Sequence, residues 1–99
     1  MRLRVSKEAQ EDLEEAWLYG AALWGEGRAD RFADELREKC LLITRYPQVG
    51  RPRDELSRNL RSLPVPPFVL FHQSAGEVVE IVRVLHGARD VEGIFESQE

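Results

Sequence analysis

Two apolar stripes of similar length, separated by a pair of glycines, constrain the fold of this 99-residue chain more than any other feature. The first stripe comprises Ala9, Leu13, Ala16, Trp17, Gly20, Leu23 and Trp24. The second comprises Ala29, Phe32, Ala33, Leu36, Cys40 and Ile43. Steps of three and four residues predict amphipathic helices, one beginning near residue 7 and one over about 28–45. Gly25 and Gly27 end the first helix and Pro47 stops the second, so we expect an antiparallel helical hairpin.

The segments on either side of the hairpin have the composition of strands. At the N-terminus, Leu3 and Val5 alternate with arginines, and Ser6 then offers an N-cap oxygen to the first helix. The second half contributes three segments that are rich in β-branched and aromatic residues: Leu60 to Val65, Phe68 to His72 and Val78 to Leu85. The sequence therefore predicts one short opening strand and three later ones.

The connections between the later segments suggest how they pair. Ser74-Ala75-Gly76-Glu77 is a short polar turn suited to a hairpin, whereas Pro64, Pro66 and Pro67 favour a bent connection or a strand edge. Val82 to Leu85 is interpreted as the central strand, followed by a turn over 86–90. The order β-α-α-β-β-β predicts one α+β domain over residues 1–99, with the helical hairpin packed on one face of an antiparallel sheet.

Composition limits the classes of function. No apolar run approaches the roughly 18 residues that a membrane span requires, and the N-terminus lacks the apolar stretch of a secretory signal. We therefore expect a cytoplasmic protein that does not engage a membrane. A single cysteine, Cys40, excludes an intrachain disulfide and a cysteine metal cluster, and its place in the second stripe favours core packing.

The charge is unevenly distributed along the chain. The net charge of −4 divides into −3 for residues 1–44, +3 for 45–61 and −4 for 62–99. The positive middle segment is either a binding patch or a solvated loop, since Asp54 and Glu55 lie within it. The acidic total gives no support for DNA binding by this chain.

Arginines and one histidine are the candidate site residues. Guanidinium groups suit phosphates and equally suit the carboxylates of an acidic partner. Arg61 and Arg83 lie in mostly apolar strands, and would form one positive patch if both pointed to the uncovered sheet face. His86 follows the strongest strand, where it serves either as an acid or base or as a hydrogen-bonding residue of the turn. His72 is the other histidine, and without ligand spacing we expect no metal and no cofactor.

Several pieces, in this order and spacing, resemble the ParE branch of the ParE/RelE superfamily of toxins from bacterial type II toxin–antitoxin pairs. They are Ala9-Gln10-Glu11-Asp12-Leu13 through Trp24, Phe32, Leu36, Pro47-Gln48-Val49-Gly50-Arg51, Glu55-Leu56, Leu60-Arg61-Ser62-Leu63-Pro64, Phe68-Val69-Leu70-Phe71 and Arg83-Val84-Leu85-His86-Gly87-Ala88-Arg89-Asp90. The resemblance implies a non-enzymatic toxin that inhibits DNA gyrase. It also implies a cognate ParD-like antitoxin that neutralises the toxin in a hetero-oligomer.

Two alternatives accompany this resemblance. RelE-like relatives cut messenger RNA in the ribosome, and in that case Arg61 and Arg83 would bind phosphate while His86 transferred a proton. The lysines and the C-terminal tyrosine associated with that branch are missing here. The other alternative is a homologue without toxicity, which acts only in complex formation.

Eight residues form the predicted partner-binding set. They are Trp17, Trp24, Arg51, Arg53, Arg61, Arg83, His86 and Arg89. An uncovered sheet face, a free sheet edge or a groove between the helices would each accept an antitoxin segment that folds on binding. The two tryptophans are otherwise core residues, because a domain of this size needs large apolar groups.

Overall fold

The helices and strands follow the predicted α+β order. The computed structural model describes residues 1–87 and 89–96, and within these it contains five strands and three helices. In chain order they are β1 (Arg2–Val5), α1 (Lys7–Trp24), α2 (Glu26–Arg45), β2 (Arg51–Pro52), β3 (Arg61–Val65), β4 (Phe68–Ala75), β5 (Val78–His86) and α3 (Val91–Glu96). The α+β prediction is confirmed, while β2 and α3 are additional to it. The predicted turn over 86–90 includes Ala88, which lies outside the described residues.

Local signals explain the limits of the helical hairpin. The Ser6 hydroxyl accepts a hydrogen bond from the Ala9 amide at 2.9 Å and so caps α1. Gly25, between the two helices, has a φ of +89°, a backbone conformation that residues other than glycine rarely adopt. This residue alone separates α1 from α2, so Gly27 lies inside the second helix instead of ending the first.

The sheet has the order β1-β5-β4-β3-β2 and is mixed. Antiparallel pairing joins β2, β3, β4 and β5, but β1 runs parallel to β5, with Leu3 opposite Val79 and Val5 opposite Ile81. The prediction of a wholly antiparallel sheet therefore needs correction at β1. The two strands are far apart in the sequence and no hairpin links them, so their pairing need not be antiparallel. Ser6 follows β1 directly and is the N-cap of α1. The middle strand is β4, so the interpretation of Val82 to Leu85 as the central strand is wrong: this segment belongs to β5, which lies between β1 and β4.

Both faces of the sheet are covered. On one face, α1 and α2 bury Phe32, Leu36 and Ile43 against strand residues such as Leu70 and Ile81. On the other face, a second apolar cluster joins Phe71 and Leu85 to the 53–60 loop and α3 through Leu56, Leu60 and Phe95. The expectation of an uncovered sheet face is wrong, because Phe71 and Leu85 must be buried on that side. No helix in the described part of the chain is long and apolar enough to span a membrane.

Candidate functional site

Arg83 forms a buried ion pair with Asp12 of α1. Its Nε and Nη2 donate to the two Asp12 carboxylate oxygens at 2.7 and 2.9 Å, and the Val84 amide donates to Asp12 Oδ2 at 2.9 Å. The two side chains are 14% and 7% exposed. Hydrogen bonding to Asp12 raises the pKa of the Arg83 guanidinium above its usual value. Arg83 therefore connects the first helix to the sheet.

A bulge in β5 places Arg83 at this position. Phe71 pairs with Arg83 and His72 pairs with Ile81, so Val82 is an extra residue in β5. Because β1 ends opposite Ile81, the Val84 amide is left to Asp12 instead of to another strand. Neither the bulge nor the end of β1 was predicted from the sequence.

Arg61 belongs to a different part of the molecule. Its Nη1 donates to the Gly50 carbonyl oxygen at 3.1 Å, and it pairs across the sheet with His72 of β4. His72 is fully buried, and its Nε2 donates to the Val49 carbonyl oxygen at 2.9 Å. Arg61 and His72 thus hold the 46–50 loop against the sheet. With Arg61 bound to this loop and Arg83 bound to α1, the expected shared patch of Arg61 and Arg83 on an uncovered face is wrong.

His72 should make the stability of the fold depend on pH. Burial lowers the pKa of His72, and the positive charge of Arg61 lowers it further. Its Nδ1 has no hydrogen-bond partner among the described residues, so a second proton there would find no acceptor. Below a pH of about 6.5 the unfolded chain binds this proton and the folded chain resists it, so the free energy of unfolding decreases as the pH falls.

We expect this contribution to reach at most about 1.4 kcal/mol per pH unit. Urea unfolding at intervals between pH 7.5 and 5.5 measures it, with His72→Gln as the comparison. The other titrating groups are common to both proteins, so the variant should show the shallower slope. Equal slopes in the two proteins would contradict the assignment to His72.

The remaining arginines of the positive segment are partly neutralised within it. Arg53 pairs with Glu55 at 2.7 Å and lies over the Phe71 ring, with 5.8 Å from its Cζ to the ring centroid. The same ion pair lowers the pKa of Glu55. Arg51 of β2 is exposed. Arg51 is therefore more accessible than Arg53 and Arg61, the other two predicted contact residues of this segment.

His86 lies in a cluster of aromatic rings. Its ring centroid is 5.6 Å from that of Tyr19 and 5.4 Å from that of Phe68. Tyr19 also contacts Trp24, and Trp24 contacts Phe32, both edge to face. We call these five rings, Tyr19, Trp24, Phe32, Phe68 and His86, the aromatic end.

Two hollows flank Tyr19 at the aromatic end. One, of about 220 Å³, is lined by Asp12, Glu15, Tyr19, Phe68, Val84, His86 and Arg89. The other, of about 560 Å³, is lined by Tyr19, Trp24, Arg28, Arg31, Phe32, Glu35, Pro66 and Pro67. Arg61 lines neither, so the three residues of the nuclease alternative do not share a hollow. Among the described residues, no group of three metal-ligating side chains occurs.

A separate apolar groove opens between the helical hairpin and β1. It has a volume of about 310 Å³ and is lined by Leu3, Leu13, Trp17, Phe32, Ala33, Leu36, Arg37 and Cys40. Trp17 is half-buried and donates from Nε1 to Asp30 Oδ1 at 2.9 Å, which ties α1 to α2. Burial raises the pKa of the Cys40 thiol, so this cysteine stays protonated and packs as an apolar group. We call this surface the apolar groove.

The predicted set is therefore divided among several places. Trp17 lies in the apolar groove, Trp24 and His86 lie at the aromatic end, and Arg89 lines the smaller hollow there. Sequence reasoning did not single out Asp12 as a site residue, although it lies in the Ala9-Gln10-Glu11-Asp12-Leu13 piece of the resemblance. Its position between Ala9 and Ala16, within the buried stripe, was the available signal.

Comparison with known proteins identifies the family. Residues 3–91 match the family described as ParE toxin of type II toxin–antitoxin system, parDE. The chain belongs to the ParE toxin family. Toxin ParE1 of Caulobacter vibrioides is 35% identical over 83 residues, covering 84% of this chain and 85% of that relative. Toxin ParE1 of Mycobacterium tuberculosis is 34% identical over 92 residues, covering 92% of this chain and 94% of that relative.

A solved structure supports the same fold for this ParE family member. The structure described as a chromosomal ParDE TA system from P. aeruginosa matches with a TM-score of 0.75. The match covers 87% of this chain and 95% of that chain at 20% sequence identity. At this identity the likeness concerns the fold, and the predicted ParE branch rests on the sequence matches.

Proposed function

We propose that this ParE family toxin acts in the cytoplasm by inhibiting DNA gyrase, without catalysing a reaction itself, and is neutralised by a cognate ParD-like antitoxin. The observation that supports the antitoxin part is the apolar groove. Leu3, Leu13 and Trp17 line this groove and are at least partly exposed, so their apolar surface is costly to leave in water, and a partner segment with apolar side chains would bury it. The proposed occupant is an apolar face of the antitoxin tail.

The site geometry favours docking over catalysis. Asp12 takes both donors of the Arg83 fork, and Arg61 donates to the 46–50 loop. These internal bonds occupy the Nε/Nη2 edge of Arg83 and one nitrogen of Arg61, so each guanidinium offers a phosphate only part of its donor set. The family also includes the two toxins named ParE1, one from Caulobacter and one from Mycobacterium. The internal pairing of the two arginines supports a protein that acts by binding.

Inducible expression without the antitoxin tests the proposed target. We expect growth arrest, an SOS response and gyrase-dependent DNA breaks, with intact transcripts in the same cells. Purified toxin should also inhibit supercoiling by purified gyrase. Codon-linked cuts in messenger RNA without DNA damage would replace gyrase by the ribosome. Normal growth at high expression would indicate a homologue that acts only in complex formation.

The apolar groove predicts a specific loss of antitoxin binding. Leu3 lines the groove and is 40% exposed, so Leu3→Glu should leave the fold intact while placing a charge where the partner's apolar face packs. Loss of one buried leucine contact is worth about 1.5–3 kcal/mol, and we therefore expect at least a roughly tenfold weaker complex. Titration calorimetry with the purified antitoxin measures the dissociation constant.

Leu41 provides the matched control. It is 56% exposed on α2 and does not line the groove, so Leu41→Glu makes the same chemical change at a neighbouring surface. We expect its antitoxin affinity to remain within about twofold of the original, which is below 0.5 kcal/mol. Equal losses in the two variants would remove the groove from the proposal.

A further inference from the structure

The aromatic end combines exposure with rigidity. Tyr19 is 40% exposed although its ring contacts three others, those of Trp24, Phe68 and His86, with centroids 5.6–6.1 Å apart. Phe68, which contacts both Tyr19 and His86, is only 7% exposed and anchors the cluster in the core. An exposed aromatic side chain already held in place loses little conformational entropy on binding, which is typical of the anchor residues of protein interfaces.

Separate parts of the chain converge around this ring. The end of α1 supplies Tyr19, the beginning of α2 supplies Arg28 and Arg31, and the β3–β4 turn supplies Pro66 and Pro67. The end of β5 completes the other side. Tyr19 lines both hollows and so forms an aromatic ridge between them.

Three arginines lie beside this ridge, in hollows that Glu15 and Glu35 also line. Arg28 lies over the Trp24 ring at 5.4 Å, and Arg31 and Arg89 line the two hollows. None of the three makes an ion pair with a carboxylate among residues 1–87 and 89–96. By contrast, Arg83 and Arg53 each bind an acidic side chain of the chain itself. In a molecule of net charge −4, cations left unpaired beside an exposed aromatic ridge point to an acidic ligand.

We propose that the aromatic end is the surface that contacts the toxin's target, and that it takes an acidic protein segment with an apolar side chain packed on Tyr19. Carboxylates of that segment pair with Arg28, Arg31 and Arg89. Glu15 and Glu35 line the same hollows and oppose a continuous phosphate backbone, so a protein segment with separate carboxylates fits better than a nucleic acid. This inference rests on the proposed function, which makes the target a protein.

The aromatic end and the apolar groove adjoin at Phe32 but otherwise have different lining residues. Phe32 lines both the groove and the larger hollow, and it is 7% exposed. Trp17 and Cys40 line only the groove, whereas Tyr19 and Arg28 line the larger hollow at the aromatic end and not the groove. Substitutions at the aromatic end should therefore reduce toxicity and leave antitoxin binding unchanged. Substitutions in the groove should weaken antitoxin binding and leave toxicity unchanged.

The test is charge reversal at the beginning of α2. Arg28→Glu combined with Arg31→Glu places acidic groups in the first turns of a helix, where they are compatible with the helix dipole and should not harm folding. The control, Lys39→Glu with Arg45→Glu, makes the same change of charge near the other end of α2, where acidic groups oppose the helix dipole at a cost of about 0.3–1 kcal/mol each. Each protein is tested for growth arrest on expression, for inhibition of purified gyrase and for antitoxin affinity.

We expect the Arg28/Arg31 variant to need at least tenfold more protein for gyrase inhibition and to lose growth arrest, with antitoxin affinity within twofold of the original. The control should retain all three properties. Tyr19→Ala should reduce inhibition in the same way, which tests the apolar anchor separately from the charges.

The outcomes for the inference and for the proposed function are distinguishable. If the original protein inhibits gyrase and the Arg28/Arg31 variant does so equally, the inference is overturned and the proposed function remains. If the original protein does not inhibit gyrase, the proposed function fails, and growth arrest on expression then tests the inference.

If the original protein arrests growth and the Arg28/Arg31 variant does so equally, the inference is overturned. If the original protein does not arrest growth, the inference is overturned as well. If the original protein bound a single-stranded oligonucleotide in a salt-dependent manner and the Arg28/Arg31 variant did not, the ligand would be a nucleic acid and the inference of a protein segment would be overturned.

Discussion

Asp12→Ala is expected to destabilise the fold by about 3–5 kcal/mol, the cost of leaving a buried charge without its partner. The change removes the acceptor of both Arg83 donors and of the Val84 amide. Arg83 is only 14% exposed, so water cannot fully replace the carboxylate. Because small domains have only about 5–15 kcal/mol of stability in total, a large part of the population should unfold at moderate urea concentrations. The shift of the urea midpoint measures the loss.

An exposed ion pair on the neighbouring helix serves as the control. Asp34 and Arg37 of α2 are 3.2 Å apart, with side chains 67% and 74% exposed. Asp34→Ala should change stability by less than about 1 kcal/mol, as is usual for surface pairs. If Asp12→Ala proved equally mild, the pair with Arg83 would not connect α1 to the sheet. Asp12→Leu with Arg83→Met should recover the part of the loss that comes from the unpaired charge, because it removes both charges together, while the Val84 amide still lacks its acceptor.

Gly50→Ala should be the second most damaging substitution, at about 2–4 kcal/mol from backbone strain and overpacking together. Gly50 has a φ of +95°, and an added Cβ would lie 2.5 Å from the Ser62 carbonyl oxygen of β3. Backbone atoms cannot move aside as a flexible side chain does, so the loop must lift from the sheet. That movement also strains the contacts made by Arg61 and His72 with this loop. Thermal and urea unfolding give the change.

Gly27→Ala is the matched glycine substitution. Gly27 lies in α2, and an added Cβ there would meet no atom within 4 Å. We expect it to raise stability by up to about 1 kcal/mol, since alanine is the better helix former. If Gly50→Ala lowers the free energy of unfolding and Gly27→Ala raises it, the loss at Gly50 comes from its close approach to Ser62 and not from replacing a glycine as such. A neutral Gly50→Ala would mean that the loop is not held closely against β3.

The candidate site was only partly predictable from the sequence. Arg83 and His86 stood out because polar residues at the end of an apolar strand are unusual, and the structure places both beside α1. Their roles were not evident, since the pairing of Arg83 with Asp12 spans 71 residues and depends on the bulge at Val82. Tyr19 was overlooked because it lies outside the apolar stripe of α1, and only the approach of Phe68 and His86 makes it part of a cluster.

By itself, the sequence determined the helical hairpin, the strand segments and the ParE family relationship. The helices and strands follow from signals that act over a few residues, such as the 3.6-residue spacing, the cap at Ser6 and the break at Gly25. The family relationship rests on the order and spacing of pieces along most of the chain. Only the tertiary structure decided the parallel direction of β1, the covering of both sheet faces and the separation of the groove from the aromatic end. Each of those features depends on how segments far apart in the sequence pair with one another. The apolar pattern of a single segment does not specify its pairing partner or the direction of pairing.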